Sequence, residues 1–151
     1  MNVWVPPKSP YDLIQESLFP DEWKILVSCM LLNQTTRKQL NKVIWPFFER
    51  WPSPQALLQS SPEEIGEVLR PLGFWRRRPL SLQKFSREYI SKPWNEPKEL
   101  HGIGKYANDA WHIFVKGDWV TVEPNDHALS WYHKWLKEAH FAVERWETVD
   151  F

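Results

Sequence analysis

The stretch that most constrains this chain is Leu100-His101-Gly102-Ile103-Gly104-Lys105-Tyr106-Ala107-Asn108-Asp109. Two glycines flank an isoleucine, and a run with helical spacing follows. Glycine permits positive φ and close backbone approach, so Gly102-Ile103-Gly104 predicts a tight turn between two helices. Backbone N–H groups of such a turn, and of the first turn of the next helix, point outward unpaired. With the positive end of the helix dipole they suit a phosphate oxygen. A plain helix–helix corner with a glycine cap fits the same residues. Two neighbouring features favour the anion site. The turn itself carries no acid, and an isolated one, Asp126 in Glu123-Pro124-Asn125-Asp126-His127, follows Gly104 by 22 residues.

At 151 residues the chain reads as one domain, 1–151, large enough for a hydrophobic core without disulfides or structural metal. Its 19 basic and 19 acidic residues cancel, which argues against a purely electrostatic nucleic-acid binder but leaves room for local patches. The single cysteine, Cys29, rules out an internal disulfide, a thiolate zinc site and a four-cysteine iron–sulfur cluster. An intracellular protein is the simple inference. No signal peptide or bilayer-spanning apolar run is visible. The five histidines show no metal-ligand spacing, and no nucleophile triad is recognisable.

Proline and cap signals divide the rest. Residues 1–8 read as an extended arm, since prolines disfavour helix in the residue before them. Ser9-Pro10 predicts a helix start running to about Phe19, and Asp21 a cap for a second helix, Glu22 to Leu32. That second helix has almost no polar face, so it is expected at the centre of the core. Asn33-Gln34-Thr35-Thr36 is a polar turn, followed by a helix over about 37–50 bent at Pro46. Ser53-Pro54 and Ser61-Pro62 open two short helices, the second with a capping-box Glu64. Residues 70–75 form a break with an apolar tip, and Pro79 begins a helix ending near Ser91. A helix over 105–115 and a last amphipathic one from Asp126 complete the reading. Only Trp119-Val120-Thr121-Val122 alternates like a strand, so the fold class is all-α.

With the hairpin and Asp126 in hand, the chain resembles the helix-hairpin-helix DNA glycosylase superfamily of the endonuclease III type. The likeness runs over essentially the whole chain. It is strongest to the glycosylase domains of methyl-CpG-binding-domain thymine glycosylases, through Leu13-Ile14-Gln15-Glu16-Ser17-Leu18-Phe19, Pro71-Leu72-Gly73, Lys84-Phe85-Ser86, residues 100–106, Asn108-Asp109, Asp126-His127 and Tyr132-His133. No methyl-CpG-binding domain lies in these residues, so the chain is expected to be the catalytic part alone. The resemblance implies two helical subdomains with a base-binding cleft between them.

What the resemblance implies agrees with the chemistry of the residues. A base inside a duplex must be extruded before its glycosidic bond can be reached. Breaking that bond builds positive charge on the sugar, which a carboxylate can stabilise while orienting water. Asp126 matches the family's catalytic aspartate; a plain helix cap is the alternative role, and the two can coexist. Bifunctional relatives carry a lysine two positions after the last hairpin glycine, as a Schiff-base nucleophile. That position is Tyr106 here. Lys105 lies one residue earlier, about 100° around the helix, where it is expected to face phosphates. Tyr106 and Gln15 match pocket residues, the glutamine amide offering a donor and an acceptor to a pyrimidine edge.

Gln34 matches the position that fills the gap left by the extruded base, where the thymine glycosylases carry arginine. Phe74 matches a wedge leucine, and an aromatic there can stack on bases. His101, Gly102, Ile103, Gly104, Lys105 and Arg76 complete the expected DNA contacts, with Arg77 and Arg78 as further phosphate candidates. The expected function is monofunctional hydrolysis of thymine or uracil mispaired with guanine, in base excision repair. A non-catalytic helix-hairpin-helix binding module, and a glycosylase for another base such as 5-methylcytosine, are the alternatives. The resemblance implies a nuclear monomer acting on double-stranded DNA without membrane or cofactor, with room for a monovalent cation at the hairpin.

Overall fold

The computed structural model describes the backbone of residues 4–149 and the side chains of residues 4–139. Among them the chain is helical throughout: α1 (Ile14–Leu18), α2 (Glu22–Leu31), α3 (Arg37–Asn41), α4 (Ile44–Arg50), α5 (Pro54–Leu58), α6 (Pro62–Leu69), α7 (Arg78–Ser91), α8 (Lys105–Trp111) and α9 (His127–Val149). The central position of α2 follows from its composition. Seven of its ten residues are buried, and it packs on α1, α7 and α8. Helices α5 and α6 stack on α7, and α6 also meets α4.

Several starts are set by one side chain each. Asp21 accepts from Lys24 N at 2.9 Å, Ser53 from Ala56 N at 3.1 Å and Ser61 from Glu64 N at 3.2 Å. Each satisfies an N–H that the helix itself cannot, and proline follows both serines where its missing N–H costs nothing. Buried aromatics fill the space between helices, with Phe47 meeting Phe48 and Trp51 edge-on at 5.4 and 5.1 Å. Two buried indoles find acceptors: Trp23 Nε1 donates to Ser86 Oγ and Trp111 Nε1 to the Glu22 carboxylate.

Two expectations need correction, and two others gain detail. The first helix starts at Ile14 rather than at Pro10, because Asp12 is left-handed (φ 51°) and the Glu16 carboxylate reaches back to Ser9 and Leu13 instead. The helix expected over 37–50 is two helices, broken at Lys42-Val43 rather than bent at Pro46. Pro46 has no N–H for the Lys42 carbonyl and crowds it, so the break falls one turn upstream. The helix after the hairpin extends through a π-turn, His112–Lys116, closed by Gly117 N–H donating to His112 O at 2.8 Å. The strand-like residues Trp119–Thr121 form a 3-10 turn. In the arm, Pro7 is tied down by its carbonyl, which accepts from Tyr132 Oη at 2.7 Å.

Candidate active site

The ends of α1, α2 and α7, the hairpin, and the residue before α9 border one cleft of about 940 Å³, within the range of small-molecule pockets. Asp126, Gln15, Tyr106, Gln34, Phe74, Gly102, Gly104 and Lys105 all line it. Residues far apart in sequence therefore meet in one cleft.

Asp126 stands exposed at the cleft mouth and caps α9: its Oδ2 accepts from Leu129 N at 3.0 Å. Its Oδ1 has no protein partner among the described residues. Cap and cleft roles thus fall to different oxygens of one carboxylate. Deep in the wall, Gln15 Nε2 donates to Tyr106 Oη at 2.8 Å and to Cys29 Sγ at 3.4 Å. Burial pushes the Tyr106 phenol far above its ordinary range and the Cys29 thiol up to about 11, so both stay protonated at neutral pH. Cys29 is consequently a neutral wall residue and not a nucleophile.

The cleft rim carries two strained loops. Gln34 (φ 61°) and Phe74 (φ 50°) are non-glycine residues in the left-handed region, and Phe74 is 48% exposed. Such strain persists only where the surroundings enforce it. Arg78 is one such enforcer: it donates to Gly73 O at 2.8 Å and to Asn33 O at 3.0 Å, tying the two loops together. Partial burial lowers its pKa from the ordinary guanidinium value. Arg77 lies over the Phe74 ring at 5.1 Å, and both arginines line the cleft.

Several expected DNA contacts are placed differently. Arg76 stacks on Trp75 at 4.8 Å outside the main cleft, leaving the rim to Arg77 and Arg78. His101 has its ring nitrogen on Ser81 Oγ and its N–H on the Glu88 carboxylate, so neither group is free. Ile103 is buried, and its N–H turns back onto Leu100 O. Lys105 points its ammonium at Asp109 Oδ2 (2.6 Å) and Glu123 O (2.8 Å), bracing the hairpin against the segment before Asp126. Gly102 (φ 78°) makes the turn, with Met30 against it. Around Gly104 there is open space. Cys29 was not expected in the site; apart from Ser28 its neighbours in α2 are apolar, and no local signal sets it apart.

Residues 27–144 match the family model of the HhH-GPD superfamily of base excision DNA repair proteins. The chain belongs to that superfamily. It is similar to a methyl-CpG-binding domain protein 4-like protein of Arabidopsis thaliana, 42% identical over 136 residues, which are 90% of this chain and 31% of that one. It is also similar to a thymine/uracil-DNA glycosylase of Pyrobaculum aerophilum, 37% identical over 94 residues, 58% of this chain and 41% of the relative. A solved thermostable thymine-DNA glycosylase shares the fold, with a TM-score of 0.63 at 24% identity over 74% of this chain and 52% of that one. The chain thus spans 31% and 41% of the length of these two sequence relatives.

Proposed function

We propose that this chain is the catalytic domain of a monofunctional DNA glycosylase that hydrolyses thymine or uracil opposite guanine in duplex DNA and leaves an abasic site. The observation that carries the reading is the meeting, in one cleft, of the free Asp126 Oδ1 with the Gln15 amide and the Tyr106 hydroxyl. The carboxylate answers the positive charge that develops on the sugar, and the amide answers a pyrimidine edge. Tyr106 occupies the place where an amine nucleophile would be needed for strand cleavage, and the Lys105 ammonium is held by Asp109 and Glu123. Thymine glycosylases among its relatives support the choice of base. The domain acts as a nuclear monomer on double-stranded DNA and uses no iron–sulfur cluster.

The test uses end-labelled duplexes holding one T·G, U·G or 5-methylcytosine·G pair, divided after incubation into alkali-treated and untreated halves. Cleavage at T·G and U·G in the alkali-treated half alone is expected. Breaks without alkali would overturn the monofunctional assignment. Binding with no cleavage in either half would replace the enzyme reading by a DNA-binding module, and cleavage confined to 5-methylcytosine would change the substrate.

Phe74 gives a separate expectation. Extruding a base costs roughly a few kcal/mol, and an aromatic stacked into the gap returns about 1–3 kcal/mol. Phe74→Ala is expected to slow single-turnover excision at T·G by about tenfold or more, since its half-exposed ring contributes little to the core. A melting temperature unchanged within a few degrees, beside the slowed rate, would separate the wedge from a packing role.

A further inference from the structure

Four aromatic side chains stand largely exposed among the described residues: Tyr11, Trp45, Phe74 and Trp131. Two of them meet. The Tyr11 and Trp131 rings lie 5.9 Å apart, tilted by 40°, and stay 45% and 56% exposed. His127, also exposed, adds a third ring 6.5 Å from that of Trp131. This surface is continuous with the cleft, since Tyr11 lines it and His127 directly follows Asp126. Trp131 follows Asp126 by five residues, about 7.5 Å along a helix axis, which is roughly two stacked nucleotides.

The rings are held by their backbone. Pro7 O accepts from Tyr132 Oη on α9, Tyr11 N donates to Ser9 Oγ at 3.2 Å, and Arg37 Nη1 donates to Asp12 O. Asp12 is left-handed (φ 51°), as are Gln34 and Phe74. Two of these strained residues line the cleft, and the third presents Tyr11, which does. Strain of this kind gathers at ligand sites. Cations accompany the rings. Arg37 lines the cleft and approaches the Asp12 carboxylate at 4.0 Å, and exposed Lys134 follows Trp131 by three residues on α9.

We propose that Tyr11 and Trp131, with His127, form a stacking platform for unpaired nucleotides beside the cleft, so that the domain takes single-stranded DNA as well as duplex. In a duplex the neighbours of each base cover its faces and the extruded base enters the cleft, so rings outside the cleft find no base to stack on. In a single strand every base offers a face, and an aromatic ring accepts any of them. Attraction to phosphates alone is a weak source of affinity for a chain of zero net charge, whereas stacking is not screened by salt. This proposal rests on the cleft being the excision site and adds a substrate class to it. A target base in an unpaired strand needs the least work to reach the pocket.

The experiment measures affinity by fluorescence anisotropy for a strand of cytosine and adenine only, alone and annealed to its complement. Neither form carries an unpaired or mispaired thymine or uracil, so the readout is independent of excision. Tyr11→Ala and Trp131→Ala are each expected to weaken single-strand binding by about tenfold and to leave duplex binding within about twofold. The slope of affinity against salt is expected to stay that of the parent, because a lost ring releases no counterion. Trp131→Phe keeps a stacking face and is expected to remain within about threefold of the parent. Trp131→Leu keeps an apolar contact for Tyr11 without such a face and is expected to behave like alanine.

Unmoved single-strand affinity in the alanine and leucine chains would overturn the platform by showing that the rings only pin the arm to α9. Equal losses on single strand and duplex would overturn it in favour of a backbone contact. A dimer in sedimentation that Trp131→Ala dissolves, with single-strand affinity unmoved, would assign the rings to a second copy. Circular dichroism checks folding, and the phenylalanine–leucine pair supplies the comparison if the alanine chains melt too low. Excision is then assayed on a T·G duplex and on a single strand holding one uracil. Single-strand affinity lost with Trp131, but no excision from either substrate, retains the platform and removes the enzymatic reading. Excision at T·G with single-strand affinity unmoved does the reverse.

Discussion

Replacing Asp126 by asparagine is expected to slow single-turnover excision at T·G by about a thousandfold while barely moving the melting temperature. The two halves of this expectation come from the two oxygens. Oδ2 accepts from Leu129 N and starts α9, a task that asparagine performs as well as aspartate. In the proposed reaction the negative charge stands next to the developing oxocarbenium ion, where asparagine offers no substitute. Removing one electrostatic contact of this kind typically costs about 10²–10³ in rate, and loss of water activation adds to it. Asp126→Ala should show the same loss of rate together with a further loss of about 1 kcal/mol in stability, from the missing cap. Rates come from alkali-treated gels at saturating enzyme, and stability from urea melts of the same preparations. An asparagine chain that keeps a tenth of the activity would exclude Asp126 as the charge that drives bond breaking.

Local signals in this sequence were legible because the partners are a few residues apart. Asp21, Ser53 and Ser61 cap helices through bonds to the residue three positions on, so a four-residue window suffices to see them. The hairpin was legible for a similar reason, since the positive φ at Gly102 is a property of one residue. What escaped depends on where the chain goes between distant points. Gln15 and Tyr106 are 91 residues apart and Gln15 and Cys29 14 apart, so the resemblance could suggest the first pair while nothing pointed to the sulfur.

Arg76, Arg77 and Arg78 illustrate the same limit at short range. They are consecutive, and which one faces the cleft depends on the left-handed turn at Gly73 and Phe74 just before them. A reading by charge run cannot rank the three, and Arg76 stacks on Trp75. The structure singles out Arg78, because only its guanidinium reaches both Gly73 O and Asn33 O. Its position before Pro79 gave no hint of that, since a helix start is ordinarily solvated.

The hairpin glycines are expected to fail in different ways when filled. At Gly102 (φ 78°) a β-branched side chain meets a forbidden backbone region, and a Cβ there comes within 2.7 Å of Met30 Cε. The methionine end can move, so backbone strain dominates the cost. Gly102→Val is therefore expected to destabilise the fold by about 2 kcal/mol, and to lower DNA affinity as the turn deforms. At Gly104 φ is −97°, an ordinary value, and an added Cβ meets nothing within 4 Å. Gly104→Ala is expected to cost about 0.5–1 kcal/mol, the difference between glycine and alanine as a helix cap, which leaves the fold in place.

If the turn holds a phosphate through its backbone, that open side is where the anion approaches, and a methyl group there lifts it off the N–H groups. DNA affinity at 0.1 M salt is then expected to fall by about tenfold for Gly104→Ala, with the fold intact. Fluorescence-anisotropy titrations beside urea melts read both quantities. A Gly104→Ala chain that binds duplex DNA as tightly as the parent would mean that the hairpin is only a corner between helices.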